Sequence, residues 1–247
     1  MAKTILITGA SSGIGAGMAR EFAKKGYNLA ICARRLDRLE TLKQELESQY
    51  NIKVIAKTLD VTDYDQVFEV FRAFKEDFGT IDRIIVNAGV GEGRRIGKGN
   101  FAINKATVET NFISALAQCE AAVEIFRAQN SGHLVMISSM SAMRGMPKHL
   151  TAYGASKAGV ARLAAGIRAA LGNPPIKVTA ILPGYIRTEI NEGAKKLPFE
   201  VDEKTGSRLL AAEIEKAPVK AYVPKWPWLP LGLAMKVLPL KLVNKLG

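Results

Sequence analysis

The sequence predicts an α/β fold, a doubly wound parallel sheet of about seven strands with helices on both faces. Three observations carry this. Short β-branched runs alternate with longer stretches of helical periodicity, the pattern of repeated β-α units. The strand runs are continuously apolar rather than alternating, as strands covered on both faces must be. A glycine-rich turn joins the first strand to the first helix.

The strands are read at KTILIT (3–8), NLAICA (28–33), KVIAKT (53–58), RIIVN (83–87), LVMIS (134–138) and KVTAIL (177–182), with a seventh at Lys220–Val223. Helices are expected near 13–25, 36–49, 63–78, 104–128, 155–171 and 203–217. Right-handed crossovers between parallel strands follow from chain chirality. Residues 89–99 (GVGEGRRIGKG) read as a loop within the domain. Composition changes near residue 217: five of the ten prolines and both tryptophans lie beyond it. The expected organisation is therefore a catalytic domain over 1–223 and a basic, Pro/Trp-rich apolar extension over 224–247.

Length and composition exclude several classes. A chain of 247 residues with 48% hydrophobic and 23% charged residues can build a sizeable core. Two cysteines, Cys32 and Cys119, rule out a disulfide scaffold and suit a reducing compartment. The N-terminal apolar run is too short for a signal peptide and continues into a motif, so a cytoplasmic protein is expected. His133 and His149 are the only histidines, both read as loop residues, and no cluster has metal-ligand spacing; no metal is expected. Residues 216–247 hold six lysines and no acid, half of the net charge of +12.

The turn after the first strand reads Thr8-Gly9-Ala10-Ser11-Ser12-Gly13-Ile14-Gly15. Such a turn brings backbone N–H groups and a helix N-terminus to a pyrophosphate. A Cβ at Gly9 or Gly15 would block close approach or helix–strand packing. The second strand ends Cys32-Ala33-Arg34-Arg35, where an acid would hold the ribose 2′-OH of NAD. A guanidinium there suits a 2′-phosphate instead, which predicts NADP(H). The alternative is that Arg34 and Arg35 are ordinary surface residues at a helix start.

Tyr153-Gly154-Ala155-Ser156-Lys157 is a Tyr-x-x-x-Lys pair, placed on one face of a helix by its spacing. A phenol is too weakly acidic to act as a base at neutral pH, and a nearby ammonium favours its ionised form. Tyr153 is thus a candidate acid in reduction and base in oxidation. The fifth strand ends Ser138-Ser139-Met140-Ser141, where a hydroxyl could hold a substrate carbonyl oxygen.

The glycine spacing TGxxxGxG, the Asn87-Ala88-Gly89 triplet after the fourth strand and the Tyr-x-x-x-Lys pair resemble the short-chain dehydrogenase/reductase family over about residues 3–223. The resemblance implies a Rossmann-like domain and a nicotinamide cofactor. It implies a loop over Gly9, Ser11, Ser12, Gly13, Ile14 and Gly15, with Arg34 and the loop serines on the 2′-phosphate. Asp60 and Val61 would touch adenine, and Asn87, Ala88 and Gly89 would support the adenosine side. Pro183, Gly184, Ile186 and Thr188 would orient the carboxamide. Tyr153 and Lys157 would meet the nicotinamide ribose, and Asn111 would hold a relay water. It picks Ser139 as the catalytic serine, with Ser138 and Ser141 as fallbacks, because the Ser139–Tyr153 interval is slightly longer than the family's. A mobile substrate lid is implied over 189–202, and a homodimer or homotetramer through 104–128 and 155–171.

The expected activity is hydride transfer between NADP(H) and a carbonyl/alcohol substrate, with Asn111, Ser139, Tyr153 and Lys157 as the working set. The tail's apolar character points weakly to an apolar substrate. The rival reading is a non-catalytic NADP(H) sensor or scaffold. Arg94, Arg95 and Lys98 read as solvated, or as favouring an acidic substrate. No aromatic stacking platform supports nucleic-acid binding. In the tail, Leu231, Met235, Leu238, Leu242 and Leu246 recur at helical spacing, with Lys236, Lys241 and Lys245 off that stripe. Prolines and lysines argue against a span. A peripheral membrane contact through an interfacial helix, or a cover over the chain's own cleft or a partner subunit, are the two readings left.

Overall fold

The computed structural model describes residues 2–172, 175–193, 195 and 197–239. Seven strands form one sheet: β1 (Thr4–Thr8), β2 (Asn28–Ala33), β3 (Val54–Thr58), β4 (Arg83–Val86), β5 (Gly132–Ile137), β6 (Ile176–Pro183) and β7 (Lys220–Val223). Their order is β3-β2-β1-β4-β5-β6-β7, and every pairing is parallel. The order reverses between β1 and β4. In such sheets the crevice at the carboxyl ends beside that switch is where ligands bind.

The continuous apolar runs behave as expected. In β1, Leu6 faces one layer while Ile5 and Ile7 face the other, and all three are fully buried. One layer is built from α1 (Gly13–Ala23), α2 (Leu36–Gln49) and α7 (Glu203–Glu215), with Phe22, Leu39 and Leu210 in its core. The other holds α3 (Tyr64–Phe78), α5 (Ser114–Ala128) and α6 (Leu150–Leu171), with Phe71, Phe74 and Phe126. Burying such side chains contributes about 1.5–3 kcal/mol each, so two filled faces hold the sheet between them.

Three expectations need correction. The helix expected over 104–128 begins at Phe101 as α4 (Phe101–Val108) and passes through a π-helical turn, Glu109–Ile113, before α5. An extra residue in a helix leaves no mark in a 3.6-residue pattern, and such turns concentrate at functional sites. The helix expected from 155 begins at Leu150, which puts Tyr153 inside it with Lys157. His133 is not a loop residue but lies buried in β5. Its Nδ1 accepts from Arg83 Nε at 2.9 Å, and its Nε2 meets Thr179 Oγ1 at 2.8 Å. Burial, with the charges of Arg83 and Lys177, lowers its pKa to about 3, so it is a neutral structural residue. The extension forms α8 (Lys225–Val237), broken at Trp226 and carrying Pro230. Leu242, Leu246, Lys241 and Lys245 lie outside the described residues.

The turn before α1 is set by backbone crowding. A Cβ on Gly15 would sit 2.2 Å from the Gly9 carbonyl oxygen, a backbone atom that cannot step aside. Gly9 itself has φ of 66° and would press its Cβ to 2.8 Å from Ala88 Cα. Gly15→Ala is therefore expected to destabilise the fold by roughly 1–3 kcal/mol. The exposed Gly166, in the middle of α6 with open space around it, should instead gain about 0.5–1 kcal/mol on substitution by Ala. Urea unfolding of both variants checks the contrast.

Candidate active site

The cradle at the β1–α1 turn is pinned from β4. Thr8 Oγ1 accepts from the backbone N–H groups of Asn87 (3.0 Å) and Ala88 (3.2 Å). Asn87 Nδ2 donates to the Thr8 carbonyl at 2.9 Å. Asn87 Oδ1 is buried and has no protein partner, so one acceptor at the cradle is left for another group. Gly13 has φ of 53°, and a Cβ there would touch the Thr188 side chain at 3.4 Å. The segment after β6 is thereby brought to the glycine loop.

At the end of β2 the sequence expectation is half right. Arg35, not Arg34, reaches the loop serines. Its Nη2 donates to Ser12 Oγ at 2.6 Å and to Ser11 Oγ at 3.2 Å. Arg34 is exposed, and its charge acts on Asp60. Burial raises the Asp60 pKa, but hydrogen bonds from Thr62 and the Arg34 charge outweigh it, so the carboxyl lies below its ordinary value. Arg35 and Arg38 also hold the carboxylate of Glu189, at 3.3 and 2.5 Å. Arg38, chiefly, keeps the Glu189 pKa low. Sequence reasoning missed both partners. Arg38 lies one turn along α2 from Arg34, a spacing that offered a clue; for Glu189, far away in sequence, there was none.

The second cluster lies past β5. Ser139 caps a 3₁₀ turn (Met140–Met143), accepting from the Ser141 N–H at 3.1 Å, and its side chain is near enough to the Tyr153 hydroxyl to lower the phenol's pKa. The two fallback serines are occupied otherwise. Ser138 Oγ donates to the Lys157 carbonyl at 2.7 Å, and Ser141 Oγ is buried without a protein partner. Lys157 is buried, with Nζ donating to the Ile137 carbonyl at 3.1 Å. Desolvation lowers its pKa to about 8. A Cβ on Gly89 would meet Asn111 Oδ1 at 2.8 Å and Lys157 Nζ at 3.3 Å, so the NAG turn, Asn111 and Lys157 converge on one point.

Asn111 sits in the π turn, almost wholly buried. Its Oδ1 accepts from Val90 N (2.8 Å); its Nδ2 donates to the Val90 carbonyl (2.9 Å) and Ser156 Oγ (3.3 Å). Its side chain thus ties the loop after β4 to α6. The expected electrostatics of Tyr153 need correction. Burial raises its pKa, the Ser139 hydrogen bond lowers it, and Tyr185 raises it, with a net upward shift. The lowering influence is the serine, not the ammonium of Lys157, because desolvation of the phenolate exceeds what one neutral hydrogen bond returns.

The rim is made by three loops and the tail. Ile186 is buried and bridges Val201, drawing the 189–202 segment back to the sheet. Thr188 caps the turn Glu189–Asn191. Arg187 pairs with Glu200 at 2.6 Å. Ile190 packs where a Cβ on Gly91 would fall, and Arg94 pairs with Glu92. Trp228 of α8 lies directly on Gly184 and stacks edge-on against Tyr185 and Phe199, at 5.5 and 6.2 Å. The inner face of α8 is therefore packed on the segment that follows β6 and on Phe199.

The lowered Lys157 pKa has a stability consequence. Between about pH 8 and 10.5 the folded chain has shed a proton that the unfolded chain retains, so this group makes stability rise with pH across that window. Lys157→Met should lack the rise. Urea unfolding of both proteins across this range measures the difference.

A model of the short chain dehydrogenase family matches residues 3–197. An uncharacterised oxidoreductase of Mycobacterium tuberculosis is 50% identical over 242 residues, covering 98% of this chain and 96% of the relative. A short-chain dehydrogenase from Sphingobium yanoikuyae in complex with NADPH superposes with a TM-score of 0.83 at 27% identity, covering 96% of this chain and 97% of that one. A short-chain dehydrogenase/reductase from Burkholderia phymatum in complex with NAD has a TM-score of 0.83 at 19% identity, with coverage of 94% and 92%. That likeness speaks to the fold alone. The chain therefore belongs to the short-chain dehydrogenase/reductase family and is an oxidoreductase.

Proposed function

We propose that the chain is an NADP(H)-dependent reductase or dehydrogenase acting on a carbonyl/alcohol pair, with residues 1–223 as its catalytic domain. One observation carries the chemistry: Tyr153 and buried Lys157 stand one helical turn apart on α6, in contact with the end of β5, where the Ser139 side chain is near enough to the phenol to lower its pKa. A protein that only binds nucleotide has no need of that contact, which argues against a sensor or scaffold.

The residues fit a nicotinamide dinucleotide. Gly9, Gly13, Ile14 and Gly15 form a cradle that a side chain would fill, and Asn87 Oδ1 is an orphan acceptor beside it. The Glu189 carboxylate lies on Arg35 and Arg38, as an anionic group would. That arrangement, together with Ser11 and Ser12, favours a 2′-phosphate and hence NADP(H). Asp60 and Val61 are assigned to the adenine side, Asn87, Ala88 and Gly89 to the adenosine support, and Pro183, Gly184, Ile186 and Thr188 to the carboxamide. When bound, the nicotinamide supplies or accepts the hydride.

The chain's own residues handle the proton. Tyr153, whose raised pKa keeps it protonated at neutral pH, donates to the substrate oxygen in reduction and recovers the proton in oxidation. Ser139 holds both that oxygen and the phenol. Lys157 holds the ribose hydroxyls, and Asn111 anchors the loop through which a water would return the proton. An apolar substrate suits a cleft covered by Trp228, Tyr185 and Phe199. Half-exposed Ile113 and Leu116, beside and on α5, support a homodimer or homotetramer through α5 and α6. The free, buried Cys32 and Cys119 suit the cytoplasm.

Tyr153→Phe should lower turnover by about 10²–10⁴-fold while leaving nucleotide affinity unchanged; retained activity with a panel of aldehydes and ketones would refute the assignment. Removing the Glu189 charge should free two guanidinium groups. Glu189→Gln is expected to tighten NADPH about two- to fivefold and leave NADH unaffected, measured by calorimetric titration. NADH bound as tightly as NADPH by the natural protein would overturn the NADP(H) reading.

A further inference from the structure

The two faces of α8 have opposite fates. Its inner face is consumed by the fold: Trp228 rests on Gly184, and Gly232 approaches Met140 and Tyr222 so closely that a Cβ would sit 3.0 Å from each. Arg144 donates to the Leu238 carbonyl and ties down the end of the helix. The outer face carries Leu229, Leu233 and Val237, spaced i, i+4 and i+8, which places them on one side, and Trp226 stands exposed at the break that precedes them. All four are exposed, Trp226 by 78%, Leu229 by 41%, Leu233 by 53% and Val237 by 81%. A stripe of this kind along one helix exceeds the scattered apolar residues of an ordinary surface.

Its electrostatic setting selects the partner. No acid occurs from residue 216 onward, and six lysines do. Lys236 lies at the edge of the stripe and Lys225 at its start, with Lys220 exposed on the adjacent strand. Lys225 reaches back to Glu213 at 3.3 Å, while Arg144 adds a further cation at the opposite end. Tryptophan and leucine on one face with lysine at its border match the boundary between headgroups and acyl chains. Among the described residues no helix is long and apolar enough to cross a membrane, so the contact is interfacial.

We infer that the outer face of α8 docks this chain on an anionic lipid surface through Trp226, Leu229, Leu233 and Val237, with the acid-free lysines drawn to the headgroups. The docked helix is the one whose inner face covers the cleft through Trp228, so the bilayer lies beside the substrate mouth. This docking is independent of the identity of the cofactor and of the reaction.

The test is co-sedimentation of the full chain with vesicles of equal parts phosphatidylglycerol and phosphatidylcholine, and with phosphatidylcholine alone. The natural protein is expected to pellet with the anionic vesicles, to lose that binding as salt is raised, and to bind neutral vesicles weakly. The double variant Leu233→Glu/Val237→Glu should abolish binding, and Lys236→Glu should weaken it about fivefold or more. Unchanged thermal midpoints and nucleotide affinities show that the variants are folded; because these side chains already face solvent, neither change disturbs packing. Equal pelleting of the natural protein and the double variant overturns the proposal, as does absence of binding to anionic vesicles. If the natural protein instead sediments as an oligomer that the double variant dissolves, with no vesicle binding in either, the stripe is a contact between copies and the lipid assignment is wrong.

Discussion

The molecule depends on how closely two backbone segments meet at the first turn. Gly15 stands where any side chain would strike the Gly9 carbonyl, and Gly9 stands where one would strike Ala88. Removing two Cβ atoms lets β1 turn sharply into α1 and lets the β4 end close against it. Thr8 and Asn87 then hold the junction by hydrogen bonds to backbone. Because β1 and β4 are the pair at which the strand order reverses, that junction is also the mouth of the cleft. The requirement for a bare backbone and the capacity to receive an anionic group are one constraint.

The chemistry on the far side of the cleft follows a similar economy. Each of the three serines near the end of β5 has a distinct environment, and only Ser139 reaches the phenol. Lys157 is kept dry, which lowers its pKa, and its ammonium leans on the Ile137 carbonyl. Tyr153 is partly buried, and the loss of water around its phenol holds its proton on rather than off. A side chain that keeps its proton at neutral pH is better prepared to give it to a carbonyl oxygen than to take one from an alcohol.

Much of the site could be read directly from the chain. The glycine turn, the Tyr-x-x-x-Lys pair and the end of β5 are local patterns, each a few residues long, and the structure puts them at the carboxyl edge of the sheet where strand order required them to be. The misreadings share a cause. Arg35 rather than Arg34 faces the loop serines because the start of α2 fixes the direction of each side chain, and a string of letters does not carry direction. His133 lies in β5 because the strand begins at Gly132, two residues before its apolar run. The π turn at Asn111 inserts a residue that periodicity averages away.

Sequence alone determined the layered fold, the tight glycine turn after β1 and the one-turn spacing of Tyr153 and Lys157, since these rest on steric and periodic rules that act over a few neighbours. Tertiary structure decided which serine meets Tyr153, which arginines share Glu189, and which way α8 turns its apolar faces. Those are contacts between segments far apart in the chain, and their energy depends on packing and desolvation that exist only once the sheet has closed.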